Sequence, residues 1–264
     1  MKYFDIHSHL NLEQFHDDYR EVISLLEEKE VGTITVGVDE GSSARAVELS
    51  SMSENLYAAV GLHPTETDRE SFNSEFYEKL ITNPKVVCVG ECGLDYFRMS
   101  ESDIGVKDRQ KAQFRAQIEF AIKYDKPLML HIRPSKNSFD AYEDVLEILL
   151  EYKAEAGKKL RGDAHFFAGN LDIARKFIDL GFYISLTGVI TFTHDYDEVV
   201  RGIPIDKMLS ETDAPYVAPV PYRGKRAEPW YVISVVEKLA ELREIPLEEM
   251  KIQLLKNTKS LFNI

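Results

Sequence analysis

Disulfide bridges and membrane spans are what this sequence most plainly lacks. It holds two cysteines and one tryptophan in 264 residues, and Cys88 and Cys92 have three residues between them in an apolar stretch. Two thiols without a further Cys partner make neither a disulfide scaffold nor a zinc knuckle. They read as buried side chains of a protein in a reducing, cytoplasmic compartment. No apolar run approaches the ~20 residues that a bilayer span requires. Met1-Lys2-Tyr3-Phe4-Asp5 leads into a charged, histidine-containing segment rather than a signal peptide. Positive charge is scarce: 32 Lys and Arg against 45 Asp and Glu leave a net charge of −13. Such a surface repels nucleic acid at long range, so a polyanionic ligand needs a local basic patch or bound metal.

What is present is the composition of a folded, enzyme-sized protein, 44% hydrophobic and 29% charged. No linker or repeat divides the chain, which reads as one domain over residues 1–264. Short apolar runs alternate with longer amphipathic ones. The runs at Lys2–Ile6, Thr33–Val38, Tyr57–Gly61, Val86–Gly90, Pro127–Leu130, Gly162–His165, Phe182–Leu186 and Lys207–Ser210 read as strands. Several lack a polar face, as parallel strands covered on both sides do. Helices are expected over Tyr19–Glu30, Ser43–Ser53, Ser71–Thr82, Asp108–Tyr124, Ser138–Ala156, Leu171–Leu180, Asp195–Gly202, Pro229–Leu242 and Leu247–Lys256. Tyr142, Val145, Leu146, Leu149 and Leu150 form one helical stripe, and Ala112, Phe114, Ile118 and Ala121 another. Gly181 is placed to end a helix in a left-handed conformation. Eight strands each followed by helix fit an α/β fold, a (β/α)8 TIM barrel, with an open doubly wound sheet as the alternative.

The polar residues with metal-binding capacity collect at the strand ends. Asp5, His7 and His9 end the first strand; His63 follows the third, Glu91 the fourth, His131 the fifth, His165 the sixth and Asp213 the eighth. In a barrel these points share the C-terminal rim, where active sites are built. His7 and His9, two apart on extended chain, can offer two imidazoles to one ion, while Asp5 binds or orients them from behind. Glu91 lies in Gly90-Glu91-Cys92-Gly93-Leu94-Asp95. Flanking glycines suggest close approach to a bound group, and a bridging carboxylate suits two divalent ions sharing a nucleophilic water. Alternatively Glu91 pairs with Arg98 or Arg133. Asp95 reads as a turn cap. Arg133, two past His131, offers a forked cation to phosphate or carboxylate. Asp213 can ligate a metal or accept a proton from its water, whereas Glu211 reads as a structural carboxylate. Arg223, Lys225 and Arg226 crowd one loop beside the rim. They either hold an anionic substrate or form a solvated surface.

In order along the chain, Asp5-x-His7-x-His9, Gly61-Leu62-His63-Pro64, Gly90-Glu91-Cys92-Gly93-Leu94-Asp95, His131-x-Arg133, His165-Phe166-Phe167-x-Gly169 and Glu211-Thr212-Asp213 resemble the signature blocks of the TatD-type metal-dependent hydrolases. These are amidohydrolase-like barrels, many described as deoxyribonucleases. The resemblance implies metal ligation by His7, His9, Glu91, His131, His165 and Asp213, and places His63 and Arg133 near the scissile phosphate. Three departures stand out. Pro134 and Ser135 follow Arg133 where the family usually has an acid, the stretch Ala154–Arg161 is longer and more basic, and Ala227 occupies a position commonly Asn. The expectation is a hydrolase using two divalent ions (Zn, Mg or Mn) to cleave phosphodiester bonds, as a deoxyribonuclease on DNA. Glu91 and Asp213 would be its catalytic carboxylates. The alternatives are a metal-dependent hydrolase of esters, lactones or aminoacyl-tRNA, and a non-catalytic metal-binding subunit.

Overall fold

The computed structural model describes residues 1–97, 99 and 105–264. Arg98, one of the two arginines considered as a partner for Glu91, lies outside the described residues. Eight strands, β1 (Tyr3–Ser8), β2 (Val31–Val36), β3 (Leu56–Val60), β4 (Val86–Asp95), β5 (Leu128–Arg133), β6 (Gly162–Ala164), β7 (Phe182–Leu186) and β8 (Met208–Ser210), pair in parallel in sequence order. Between and after them run α1 (Tyr19–Glu28), α2 (Glu40–Ser50), α3 (Ser74–Ile81), α4 (Val106–Tyr124), α5 (Asp140–Ala156), α6 (Leu171–Asp179), α7 (Asp197–Gly202), α8 (Val232–Arg243) and α9 (Leu247–Phe262). The ring closes between β1 and β8. Ser8 bridges Ala214, the Asp213 amide donates to the His7 carbonyl at 3.0 Å, and the His9 amide donates to the Ala214 carbonyl at 2.7 Å. The open-sheet alternative is therefore set aside in favour of the (β/α)8 TIM barrel.

Local sequence accounts for several boundaries. Asp39 and Ser42 form a reciprocal cap at the start of α2, with the Ser42 amide 2.7 Å from Asp39 Oδ1. Asn170 caps α6, whose Ile173, Ala174 and Phe177 are buried. Gly181, at φ +92°, ends that helix as expected. In α5, Tyr142, Val145, Leu146 and Leu149 pack inward, but Leu150 is 60% exposed, one step too far round the helix. In α4, Ala112 is exposed, and the buried face is completed instead by two glutamines, Gln110 and Gln117.

The barrel has an inner and an outer core. Inside lie Phe4, Ile6, Ile34, Val36, Ala59, Val87, Met129, Tyr183 and Leu209, clustered with Leu261 and Phe262 of α9. Asn257 of α9 donates to the Ile205 and Met208 carbonyls at 2.8 Å, seating that helix at the end where β8 begins. The opposite end carries the polar residues. Side chains two apart on a strand share a face, so the inward row climbs from Met129 to His131 and Arg133, and from Leu209 to Glu211 and Asp213.

Two strands break this regularity where chemistry is concentrated. The β1–β2 register slips between Asp5 and Ser8, and the β4–β5 register slips between Val89 and Cys92. The first irregularity lets His7 and His9 join the same interior as Phe4 and Ile6, although their numbers have opposite parity. The second carries β4 past Glu91 to Asp95, five residues beyond its expected end. Gly93 sits there at φ +137°, where an added Cβ would lie 2.1 Å from the His131 carbonyl oxygen. A Cβ on Gly90 would lie 2.7 Å from the Met129 carbonyl oxygen. These glycines make room for β5.

Candidate metal centre

Glu91 stands at the middle of the rim, 3% exposed, with its two oxygens facing different partners. Oε2 lies 3.4 Å from His7 Nε2 and 3.7 Å from His9 Nε2. Oε1 lies 2.7 Å from His131 Nδ1, 3.5 Å from His63 Nε2 and 3.6 Å from His165 Nε2. Asp213 Oδ1 completes the first side, 3.6 Å from His9 Nε2 and 3.8 Å from His7 Nε2. The His7 and His9 Nε2 atoms are 3.1 Å apart, and the His7 ring stacks on His165 with centroids 3.5 Å apart. Three sets of donors therefore converge: His7, His165 and Asp213; His7, His9 and Glu91; His63, Glu91 and His131. His165 groups with His7 and Asp213 and also lies near Glu91, and His63, which the resemblance puts near the scissile phosphate, joins the cluster itself.

Crowding and burial set the protonation states. Burial and the neighbouring His165 push His7 down to about 4. Burial and the nearby His131 also lower His63. Burial opposes protonation of His165, yet Glu211 and Glu91 carry it up to about 10. His131, equally opposed by burial, is raised to about 9 by Asp95 and Glu91. His9 is raised against burial by Asp213 and Glu91. Burial works against ionisation of Glu91, but His63, His7 and His131 hold its carboxyl well below the usual range. Asp213 is likewise lowered by His9 and His165 despite its burial. The donor set fits a divalent cation: buried imidazoles alternate with ionised carboxylates, and among the described residues His7 Nδ1 is buried without a hydrogen-bond partner.

Supporting residues hold these ligands in place. Asp5 orients rather than ligates: its carboxylate accepts from the Thr212 amide and hydroxyl at 2.8 Å and from the His7 amide at 3.3 Å. Glu211 is structural as expected, accepting from His165 Nδ1 at 2.9 Å and from the Phe166 amide at 2.5 Å. Asp95 caps its turn by accepting from the Phe97 amide at 3.0 Å, but its other oxygen lies 3.0 Å from His131 Nε2. That second contact had no sequence signal. Neither had the two α4 glutamines, each bridging both backbone groups of a rim residue. Gln110 does so at Asp95, accepting from N and donating to O at 2.9 and 3.1 Å, and Gln117 does so at Leu62, at 2.8 and 2.9 Å. Asp163, on the same face of β6 as His165, is fully buried with both carboxyl oxygens unpartnered among the described residues. Burial pushes it well above the usual carboxylate range.

The sequence profile of the family described as TatD related DNase matches residues 4–263. The chain belongs to the TatD family. It is 40% identical over 265 residues to YabD of Bacillus subtilis, described as an uncharacterized metal-dependent hydrolase, and the match covers 99% of each chain. The crystal structure of the TatD homologue YjjV from Escherichia coli K12 superposes with a TM-score of 0.88 at 29% identity, covering 100% of this chain and 98% of that one. An amidohydrolase from Saccharomyces cerevisiae shares the fold, with a TM-score of 0.82 at 21% identity over 99% of this chain and 100% of that one. The protein is thus a metal-dependent hydrolase of the TatD family.

In this TatD-family barrel the five residues expected at the substrate part company. His63 sits against Glu91. Arg133 is exposed, its guanidinium 4.0 Å from the Phe97 ring centroid. Arg223 is exposed in the same way, 4.0 Å from the Phe192 centroid, and donates to the Ala218 carbonyl at 2.7 Å. Lys225 is exposed. Arg226, expected at the substrate with the other two cations of its loop, is engaged within the protein instead. Its guanidinium spans both oxygens of Asp18 at 2.9 and 2.6 Å, reaches Glu228 at 2.7 Å and the Gln14 carbonyl at 2.6 Å, and rests on Phe15. It ties the loop after β8 to the segment before α1. Among the described residues no helix is long and apolar enough to cross a membrane.

Proposed function

We propose that this hydrolase is a divalent-metal-dependent phosphodiesterase acting on DNA, a deoxyribonuclease. The observation that carries the proposal is Glu91, whose two oxygens face His7 and His9 on one side and His131, His63 and His165 on the other. That disposition suits a carboxylate between two ions. His7, His9 and Asp213 would hold one and His131 and His165 the other, with His63 alongside; Zn, Mn and Mg all suit such donors. When bound, the ions supply Lewis acidity, charge screening and a water of lowered pKa. Asp213, held ionised by its imidazole neighbours, would serve as the general base of the site. Arg133 and His63 position the phosphate, while Arg223 and Lys225 offset the charge of −13 locally. Cys88 and Cys92 are free and buried, which supports a cytoplasmic setting.

The test is DNA hydrolysis by the purified protein after chelation and after reconstitution with each metal. Hydrolysis should vanish and return. Glu91→Ala should lower metal occupancy and cut turnover by orders of magnitude while the thermal transition persists. Full activity after exhaustive chelation would refute the metal mechanism. Turnover of esters or lactones without any phosphodiester cleavage would move the carbonyl-hydrolase alternative ahead.

A further inference from the structure

All four strongly exposed aromatic side chains among the described residues, Phe97, Phe139, Phe192 and Tyr216, stand on loops at the C-terminal rim. Chance would scatter them around the surface, since a single exposed apolar residue has no preferred place. Two of them carry a guanidinium on the ring. Phe97, two residues past Asp95, lies under Arg133, and Phe192, on the loop after β7, lies under Arg223. Among the described residues neither arginine pairs with a carboxylate, in contrast to Arg226. The pairs rise on either side of the end of β6 that supplies His165, one from β4 and β5, the other from the loops after β7 and β8. Tyr216 lies closer in, its ring centroid 6.3 Å from that of His9.

We propose that the Phe97–Arg133 and Phe192–Arg223 pairs are specificity-determining residues that seat unpaired bases on the two sides of the scissile phosphate. The proposal rests on the phosphodiesterase reading and adds to it the side chains that hold the bases. A guanidinium centred 4.0 Å from a phenyl centroid on an exposed side chain leaves room for a nucleobase to stack beside it, while the base's phosphate meets the same positive charge. Stacking of this kind accepts any base, because every base has a π-face, but it excludes bases still stacked within a duplex. A phenylalanine alone would serve any apolar ligand. The cation on each ring selects a ligand that is both planar and anionic.

Binding is read by fluorescence anisotropy with the metal-reconstituted protein and a hydrolysis-resistant single-stranded phosphorothioate oligonucleotide, beside an abasic chain of equal length. The wild type should bind the base-bearing chain more tightly than the abasic one. Phe97→Ala/Phe192→Ala should weaken binding of the base-bearing chain by at least about tenfold and erase that preference. Phe97→Leu/Phe192→Leu keeps apolar bulk but loses the ring, and should bind as weakly. Equal binding by wild type and variants, or by base-bearing and abasic chains, overturns the inference. Hydrolysis of an ordinary phosphodiester oligonucleotide by the wild type is scored separately. Base-dependent binding without any cleavage would leave the stacking pairs standing and remove the nuclease reading.

Discussion

At the scale of single residues, the rim is a set of groups whose charges depend on one another. Without metal, His131 and His165 are held protonated up to about 9 and about 10, and protons play the part that cations would. Metal binding needs neutral imidazoles. The sign follows: both folded-state values lie above the unfolded value, so the ion-pair stabilisation is complete below about 6.5 and is lost as pH rises through 9 to 10. A divalent ion displaces these protons, so its affinity should rise with pH across that range, with release of about two protons near neutrality. Calorimetric titration of the apoprotein in two buffers of different ionisation enthalpy measures the release directly. Binding at pH 7 with no proton release would show that these imidazoles are not ligands.

Single elements carry the next level of control. Helix α4 reads from its sequence as an ordinary amphipathic helix, yet its buried face alternates apolar side chains with Gln110 and Gln117. Each glutamine satisfies an N–H and a C=O at a strand end, which would otherwise be buried without partners. About two turns of helix thereby fix both Asp95 and the residue preceding His63. Replacing Gln117 by Ala should cost about 2 kcal/mol, the usual penalty for orphaned buried backbone groups. It should also disturb metal affinity through His63. Gln110→Ala should act in the same way through Asp95 and His131. Thermal melts paired with metal titration test this. A loss of stability with unchanged metal affinity would make the glutamines mere packing.

Over the whole molecule, charge is the deciding property. A protein of net charge −13 meets a polyanion only where cations outweigh that field, and the loop after β8 supplies them unequally. Removing Arg223 or Lys225 should weaken single-stranded DNA binding and flatten its dependence on log salt by about 0.7 for each lost phosphate contact. Arg226→Ala should leave that slope unchanged. It should instead lower stability by about 1–2 kcal/mol, because its guanidinium joins Asp18, Glu228 and the Gln14 carbonyl. Salt titrations and melts of the three variants separate the roles, and a flattened slope for Arg226→Ala would mean that its ion pairs open to the substrate.

The eight apolar runs, the helices between them and the placement of histidines at strand ends were legible in the amino-acid order. Each follows from local rules: a buried parallel strand must be apolar throughout, and a helix packed on it must be apolar on one side. Those rules sufficed to predict the barrel and to place Asp5, His7, His9, His63, Glu91, His131, His165 and Asp213 on one rim; the resemblance to the TatD blocks marked six of them, His7, His9, Glu91, His131, His165 and Asp213, as ligands. Local order could not show which cations were free, since Arg223, Lys225 and Arg226 look alike in sequence, and the Asp18 carboxylate and Gln14 carbonyl that help to hold the last lie some two hundred residues away. Nor could it show the slips in β1 and β4, which depend on how neighbouring strands meet, or the glutamines of α4, whose partners lie on other elements. The aromatic rim belongs to the same class. Phe97 and Phe192 are nearly a hundred residues apart, and only barrel closure brings their loops to one face, because it puts the end of every strand on the same side.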